Sequence, residues 1–335
     1  MKIAIHHRKG SFSERWIDYC KENNIPFKIV NAYDYDIINQ VKDCDVFMWH
    51  HHHNDYTDSI TAKRILFALE HAGVSVFPDF KTGWHFDDKV AQMYLLQAIS
   101  APLVPSFVFY NKSEALQWAN TTSYPKVFKL KGGAGASNVK LVESQSQAIK
   151  YINKAFGKGF SQFDSWQYVK DRLGKYKSGS ISFVSFIKSL GRLVFKTDYS
   201  KLQSKEKGYI YFQEFVENDG YDIRVVVINN KAVALKRLIR KNDFRASGSG
   251  NLIFENDKIN KRYIEIAFEI ARKLSSHSLA IDLIHSKTDD IYIVELSYGF
   301  PMRNFLDKAS GYWDENLIWH EGAFNLQEWM VNQLI

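Results

Sequence analysis

The sequence predicts an α/β N-terminal domain followed by a larger α+β region, and three observations carry that prediction. Over the first 80 residues short apolar strands alternate with helical stretches, the pattern of a parallel sheet with crossover helices. Beyond Phe80 the alternation gives way to antiparallel signals, of which Asn229-Asn230 between two apolar runs is the clearest. With 335 residues, 45% hydrophobic and 15% aromatic, the chain carries enough apolar material for more than one core.

In order, Lys2–His6, Phe27–Ala32, Asp45–Trp49 and Val74–Phe77 read as strands, and Glu14–Asn23 and Ser59–Ala72 as the helices between them. Asp87–Ile99 has helical spacing and stops at Ser100-Ala101-Pro102. Ser106–Tyr110 is a strand, and Ser113–Asn120 a helix with Ser113 as its cap. Tyr124–Leu130 and Val139–Val142 are strands on either side of the loop Lys131–Asn138, and Gln145–Phe156 is a helix. Residues 157–207 are basic and punctuated by Ser and Gly, with strand-like runs at Ser180–Ile187 and Gly191–Thr197; they read as an elaborated subdomain. Tyr209–Val216, Asp222–Ile228, Ala232–Ile239, Leu279–His285 and Ile291–Leu296 are strands, while Asn260–Leu274 and Asn325–Ile335 are helices. The expected boundaries are 1–80, 81–212 and 213–335.

Composition narrows the function. The net charge of +7 suits a nucleic-acid partner as well as a pocket for phosphate and carboxylate. No RRM, KH or zinc pattern appears, and the lysines are spread along the chain, which disfavours nucleic acid. Cys20 and Cys44 have no metal or disulfide spacing. No stretch approaches 18 apolar residues, so no membrane partner is expected, and the start MKIAIHH lacks a signal pattern. The expectation is a cytoplasmic protein; a homo-oligomer is compatible with the sequence.

Two constellations carry chemistry. The loop Lys129-Leu-Lys-Gly-Gly-Ala-Gly-Ala-Ser-Asn138 lets backbone N–H groups approach phosphate oxygens while lysine supplies charge. It is neither Walker A nor a dinucleotide fingerprint, and alone it is equally a plain glycine-rich hairpin. Asp282 and Glu295 sit inside the apolar runs LAIDLI and IYIVELS on neighbouring strands. A buried carboxylate needs a partner, either Mg²⁺ completed by substrate phosphates or arginines such as Arg237. The segment Gln213-Glu-Phe-Val-Glu217 with Asp222-Ile-Arg224 offers backbone and carboxylate contacts to a nucleoside.

The ordered series Asp88-Lys89, PKVFK (125–129) with its glycine loop, QEFV (213–216), DIRVVVINNKAVALKR (222–237), NDFRASGSG (242–250), AIDLI (280–284) and IVELS (293–297) resembles the ATP-grasp superfamily. The likeness is to the branch of ribosomal-protein glutamate ligases and glutathione-synthetase-like enzymes, and it spans roughly 85–301. It implies a two-lobed α+β ATP-grasp fold after the α/β domain. It further implies ATP held between the lobes, two Mg²⁺ ions, and an acyl phosphate passed from a carboxylate to an amine. Carried over, Lys89 and Lys129 contact the phosphates, with Lys129 also near adenine. Gly132, Gly133, Gly135 and Ser137 form a lid over the phosphates. Gln213, Glu214, Phe215 and Val216 form the adenine hinge, and Asp222 takes a ribose or pocket-wall role. Arg237 sits on the transferring phosphoryl group and Arg245 near the reacting carboxylate. Asp282 and Glu295 bind Mg²⁺. The family's E-x-N is Glu295-Leu-Ser297 here, and a hydroxyl is a weaker metal ligand than an amide oxygen.

Outside that pattern, His50–His53 follow the third strand, near His6 and His7. Adjacent strand residues face opposite ways, so at most two of the run converge; His6, His50 and His52, with Arg224 and Arg303, are candidate contacts to an anionic substrate. A solvated loop is the plainer reading of the histidines. The aromatic tail, with YGFP (298–301), YWD (312–314) and WHEG (319–322), suits either sugar stacking or core packing. These strings resemble ATP-grasp proteins of surface-polysaccharide loci, which implies a uronic-acid-bearing sugar as carboxylate donor and an amino acid or amine as acceptor. Competing readings are an ATP-grasp phosphotransferase, a nucleic-acid-binding protein and a nucleotide-binding pseudoenzyme.

Overall fold

The computed structural model describes residues 1–132, 138–161, 169, 172–173, 176, 182–190, 204–239, 244–246, 250–254, 259–301 and 308–335. Their contacts group the chain into two compact units, Met1–Phe86 with Tyr94–Leu103 and Glu217–Ile335, and Asp87–Met93 with Val104–Val216.

The first unit begins with a parallel sheet of β1 (Ile3–His6), β2 (Phe27–Val30), β3 (Val46–Trp49) and β4 (Ser75–Phe77), in the order β2-β1-β3-β4. Helices α1 (Ser13–Glu22), α2 (Ile37–Val41), α3 (Tyr56–His71) and α4 (Phe80–Gly83) connect it. All residues of β1 and β3 are buried, as expected for a parallel sheet covered on both faces. Ala4, Phe47 and Trp49 join Leu66 and Leu69 of α3 on one face. Ile3, Ile5, Val46 and Met48 join Trp16 and Ile17 of α1 on the other. The same cluster continues through Val226, Ile228, Val233, Leu235 and Ala280. The segment expected as a separate domain, 1–80, therefore shares one core with the C-terminal sheet, and that continuity places it in one unit with 217–335.

The C-terminal sheet contains β9 (Tyr221–Ile228), β10 (Lys231–Leu238), β11 (Leu252–Ile253), β12 (Ser278–His285), β13 (Ile291–Ser297), β14 (Gly311–Asp314) and β15 (Trp319–Glu321). Its path is β13-β12-β9-β10-β14-β15, with β11 on β10, all antiparallel. The period of two separates its faces. Ile223, Val225, Val227, Ile281 and Leu283 pack against the helix Lys261–Leu274, whose Asn260 cap accepts from the Arg262 N–H at 3.0 Å. The other face carries the residues of the shared core together with the charged row described below. The hairpin β14–β15 takes up the aromatic tail: Trp313 is 4% exposed and packed in the core, so this part of the tail is core packing rather than a sugar surface.

The second unit holds the antiparallel sheet β5 (Ser106–Phe109), β8 (Ile210–Glu214), β6 (Lys126–Lys129) and β7 (Val139–Val142), in that order. Helices α6 (Lys112–Thr121) and α7 (Gln145–Ala155) close it through Ala115, Ala119, Ala148 and Ile152 against Phe128 and Phe212. Helix α5 (Lys89–Ala98) begins in this unit and ends in the first. Two sequence expectations are corrected. Asn111, not Ser113, caps α6, its side chain accepting from the Ser113 and Glu114 N–H groups at 2.8 and 3.3 Å. Phe183–Leu190, expected in part as a strand, is a helix: Phe183, Phe186 and Ile187 recur at three and four residues, which outweighs the β preference of each. The run Gly191–Thr197 lies outside the described residues.

Candidate active site

Four strands of the C-terminal sheet set a row of charge on one face. Register places Arg224 of β9 opposite Asp282 of β12, Asp282 opposite Glu295 of β13, and Asp222 of β9 opposite Arg237 of β10. Ala280 pairs with Ser297, one step along the same face. Arg224 donates to Asp282 through Nε at 2.7 Å and Nη2 at 2.8 Å. Arg237 donates to Asp222 through Nε at 2.6 Å and Nη2 at 2.7 Å. Its Nη2 also lies 2.7 Å from Asp282 Oδ2. The arginine alternative raised by the sequence is therefore realised at Asp282. Asp222, expected as a ribose or pocket-wall residue, is held by Arg237, and Arg224, expected to face substrate, pairs with Asp282.

Burial opposes ionisation of Asp282, which is 4% exposed, but Arg224 and Arg237 outweigh it and hold the carboxyl below the usual range. At Asp222 burial wins over Arg237 and the carboxyl is pushed up. Burial lowers the Arg237 pKa, but Asp282 and Asp222 raise it further, so the guanidinium stays charged. Among the described residues no group of three or more His, Cys, Asp or Glu is arranged to hold a metal. The donor set still fits a hard cation, because Asp282 and Glu295 stand directly opposite and Mg²⁺ takes one or two carboxylates plus substrate phosphates. Asp282 Oδ1 keeps lone-pair capacity beyond its one arginine bond, whereas Oδ2 already accepts from both Arg224 and Arg237. The Ser297 hydroxyl donates to the Gly299 carbonyl at 2.7 Å and accepts from the Gly299 N–H at 3.2 Å, which leaves one oxygen lone pair.

The second unit gathers the nucleotide candidates. Asp88 caps α5, accepting from the Val90 and Ala91 N–H groups at 3.1 and 2.9 Å. This fixes Lys89, whose N–H donates to the Lys131 carbonyl at 2.9 Å. Tyr209 accepts from the Lys131 N–H at 2.9 Å and donates to Glu206 at 2.8 Å, so the stem of the glycine loop is held from both sides. At Gly132 a Cβ would come within 3.3 Å of Asp87 Oδ2, so glycine allows the close approach. Buried Lys129 donates to Gln213 Oε1 at 2.6 Å, and Gln213 Nε2 donates to Ser106 at 3.0 Å. Glu214 is held by buried Lys126 at 2.6 and 2.8 Å, a partner the sequence reading missed although PKVFK contains it. Phe215 and Val216 follow the end of β8. Gly133, Gly135, Ser137 and Arg303 lie outside the described residues, and Arg245 falls within the short described stretch 244–246.

The histidine candidates resolve differently. His6 Nδ1 accepts from the Ala32 N–H at 2.9 Å. His50 Nδ1 accepts from the Phe12 N–H at 3.1 Å, and its ring stacks on Phe12 at 3.6 Å. Burial pushes both rings below their ordinary pKa. His6 and His50, expected as substrate contacts, each pair with backbone through Nδ1. The His52 N–H donates to buried Asp58 at 2.7 Å, and Asp58 also accepts from Arg8 at 2.8 Å and Tyr33 at 2.5 Å. The loop is fastened to α3, and its polar sequence conceals a buried role.

With this geometry in place, comparison with known proteins gives a consistent answer. The family model of the RimK-like ATP-grasp domain matches residues 185–308, the stretch that contains the charged row. Over that stretch the chain is similar to the ATP-grasp superfamily. Its likeness is to the RimK branch. It is 20% identical over 235 residues to the α-aminoadipate–LysW ligase LysX of Saccharolobus solfataricus, covering 70% of this chain and 69% of that protein. Among solved structures, it resembles a RimK-domain ATP-grasp protein from Sphaerobacter thermophilus with a TM-score of 0.52 and 13% identity, over 88% of this chain and 90% of that one. It resembles the D-cycloserine synthetase DcsG with a TM-score of 0.61 and 11% identity, over all of both chains. The ATP-grasp fold is therefore assigned to this chain, and among its described residues no helix is long and apolar enough to cross a membrane.

Proposed function

We propose that this ATP-grasp protein is an ATP-dependent carboxylate–amine ligase that works through an acyl phosphate. The observation that carries the reading is the cross-strand row Asp222, Arg224, Arg237, Asp282 and Glu295, within the segment that matches the RimK-like domain. Lys89 and Lys129 are assigned to the nucleotide phosphates and residues 213–216 to adenine. Asp282 and Glu295, with Ser297 at the margin, are assigned to Mg²⁺. When bound, Mg²⁺ neutralises phosphate oxygens. Arg237 and Arg245 stabilise the charge of in-line transfer, in which the carboxylate oxygen bonds to the γ-phosphorus as ADP leaves. The amine then forms the C–N bond, phosphate departs and the amine proton is released. No nucleophilic side chain is needed, and the site supplies cations and orientation.

LysX, by its name, joins α-aminoadipate to LysW; here the donor is proposed to be a uronic-acid-bearing sugar and the acceptor an amino acid or amine. A phosphate-release screen crossing uronic acids with amino acids and amines, in the presence of ATP and Mg²⁺, tests the reading. Phosphate release that requires both an acid and an amine supports the ligase. ADP formation that proceeds fully without an amine, leaving a stable phosphorylated product, overturns it in favour of a phosphotransferase. The bond from Ser297 to Gly299 favours a second reading, a nucleotide-binding protein with little turnover.

A further inference from the structure

We propose that Arg224 occupies, in the nucleotide-free chain, the place a divalent cation takes at Asp282, so that cation binding requires this ion pair to open. The inference rests on the assignment of Asp282 and Glu295 to Mg²⁺ and adds a positioning residue to it.

Both oxygens of Asp282 are engaged by guanidiniums, Oδ1 by Arg224 at 2.7 Å and Oδ2 by Arg224 at 2.8 Å and Arg237 at 2.7 Å. The two arginines are not equivalent. Arg237 has a bidentate partner of its own in Asp222 and a side chain only 6% exposed. The ion pair that holds Arg224 among the described residues is the one to Asp282, and its side chain is 17% exposed. Opening the Arg224 pair therefore breaks one fork and leaves the buried Asp222–Arg237 fork intact.

Charge balance gives the direction. A dication placed beside Asp282 with both arginines in position would bring three cationic groups into contact around one carboxylate, a repulsion that low-dielectric surroundings strengthen. Releasing Arg224 removes it, and the freed guanidinium suits the phosphate oxygens that arrive with the cation. The consequence is order: the protein alone resists the cation and accepts it together with nucleotide.

The test is Mn²⁺ binding to the full chain without nucleotide, read by the electron paramagnetic resonance signal of free Mn²⁺. Because charge-assisted pairs are the stronger class of hydrogen bond, Arg224→Met is expected to bind Mn²⁺ about tenfold more tightly than the parent chain. Arg224→Lys, keeping charge but losing the fork, should fall between them and guards against misfolding of the first variant. With a non-hydrolysable ATP analogue present, the difference should shrink to about threefold or less. Variants with parental circular dichroism that bind Mn²⁺ no more tightly than the parent would overturn the proposal. Asp282→Asn separates the two levels. If it abolishes nucleotide-dependent Mn²⁺ binding while Arg224→Met gains nothing, only the role of Arg224 fails; if it leaves that binding untouched, the metal assignment itself fails.

Discussion

Asp222 and Arg237 are locked fork to fork, with Nε to Oδ1 at 2.6 Å and Nη2 to Oδ2 at 2.7 Å, across paired positions of β9 and β10. A carboxylate held in this way aims an arginine. Asp222→Asn is therefore expected to lower kcat by about 10- to 100-fold, the range of losing one oriented electrostatic group. KM for ATP should stay within about twofold, because a misaimed Arg237 chiefly affects the transition state. A ribose contact would instead raise KM with kcat little changed. Steady-state kinetics in the coupled phosphate assay distinguish the two. Weakening a buried pair should also cost about 3 kcal/mol of stability, read as a lower urea midpoint.

The Lys129–Gln213–Ser106 chain leads to a binding prediction. Gln213 ties the lysine ammonium to the next strand, at 2.6 Å on one side and 3.0 Å on the other. Gln213→Leu removes that tie and keeps the apolar bulk. The expected result is an increase of about tenfold in the dissociation constant for ATP, from the loss of one charge-assisted bond. Isothermal titration with ATP checks it.

Ser297 supplies the third prediction. Its hydroxyl donates to the Gly299 carbonyl at 2.7 Å and stands two residues beyond Glu295 on the same face. An amide oxygen there is the stronger ligand for a hard cation. Ser297→Asn should lower the Mg²⁺ concentration for half-maximal turnover severalfold, on the order of one added ligand bond. An unchanged Mg²⁺ dependence would place residue 297 outside the cation's reach.

These sites differ in how far the sequence exposes them. Asp282 and Glu295 are legible because acids interrupt apolar period-two runs, and hairpin geometry then puts them opposite each other. Their arginine partners are less legible: Arg224 and Arg237 belong to strands whose register fixes the contact, and register is a property of pairing. The histidine run reads as polar although His50 and His51 are buried, because a ring stacked on Phe12 and bonded to its N–H leaves no trace in spacing. Strands β14 and β15, four and three residues long, are too short to show periodicity, so the tail hides a hairpin. The helix Phe183–Leu190 is obscured by the β-prone Phe183, Val184, Phe186 and Ile187.

The buried histidines also make stability depend on pH. In the unfolded chain His51 titrates near its ordinary 6.5, whereas burial first, then Lys63 and the neighbouring histidines, push it down to about 3 in the fold. Between those values the unfolded chain holds a proton that the folded chain does not, so stability is fully present above pH 6.5 and falls as pH drops through the window. His50, pushed down well below 6.5 for the same leading reason, adds a second proton. Each should contribute a slope of about 1.4 kcal/mol per pH unit. Urea unfolding from pH 7 to pH 4 should show stability falling with an uptake of at least about two protons, to which His6, His52 and His277, also pushed down by burial, add. His51→Gln should flatten the dependence by about one of them. A pH-independent midpoint over that range would mean that the rings are protonated in the fold and that burial does not govern them.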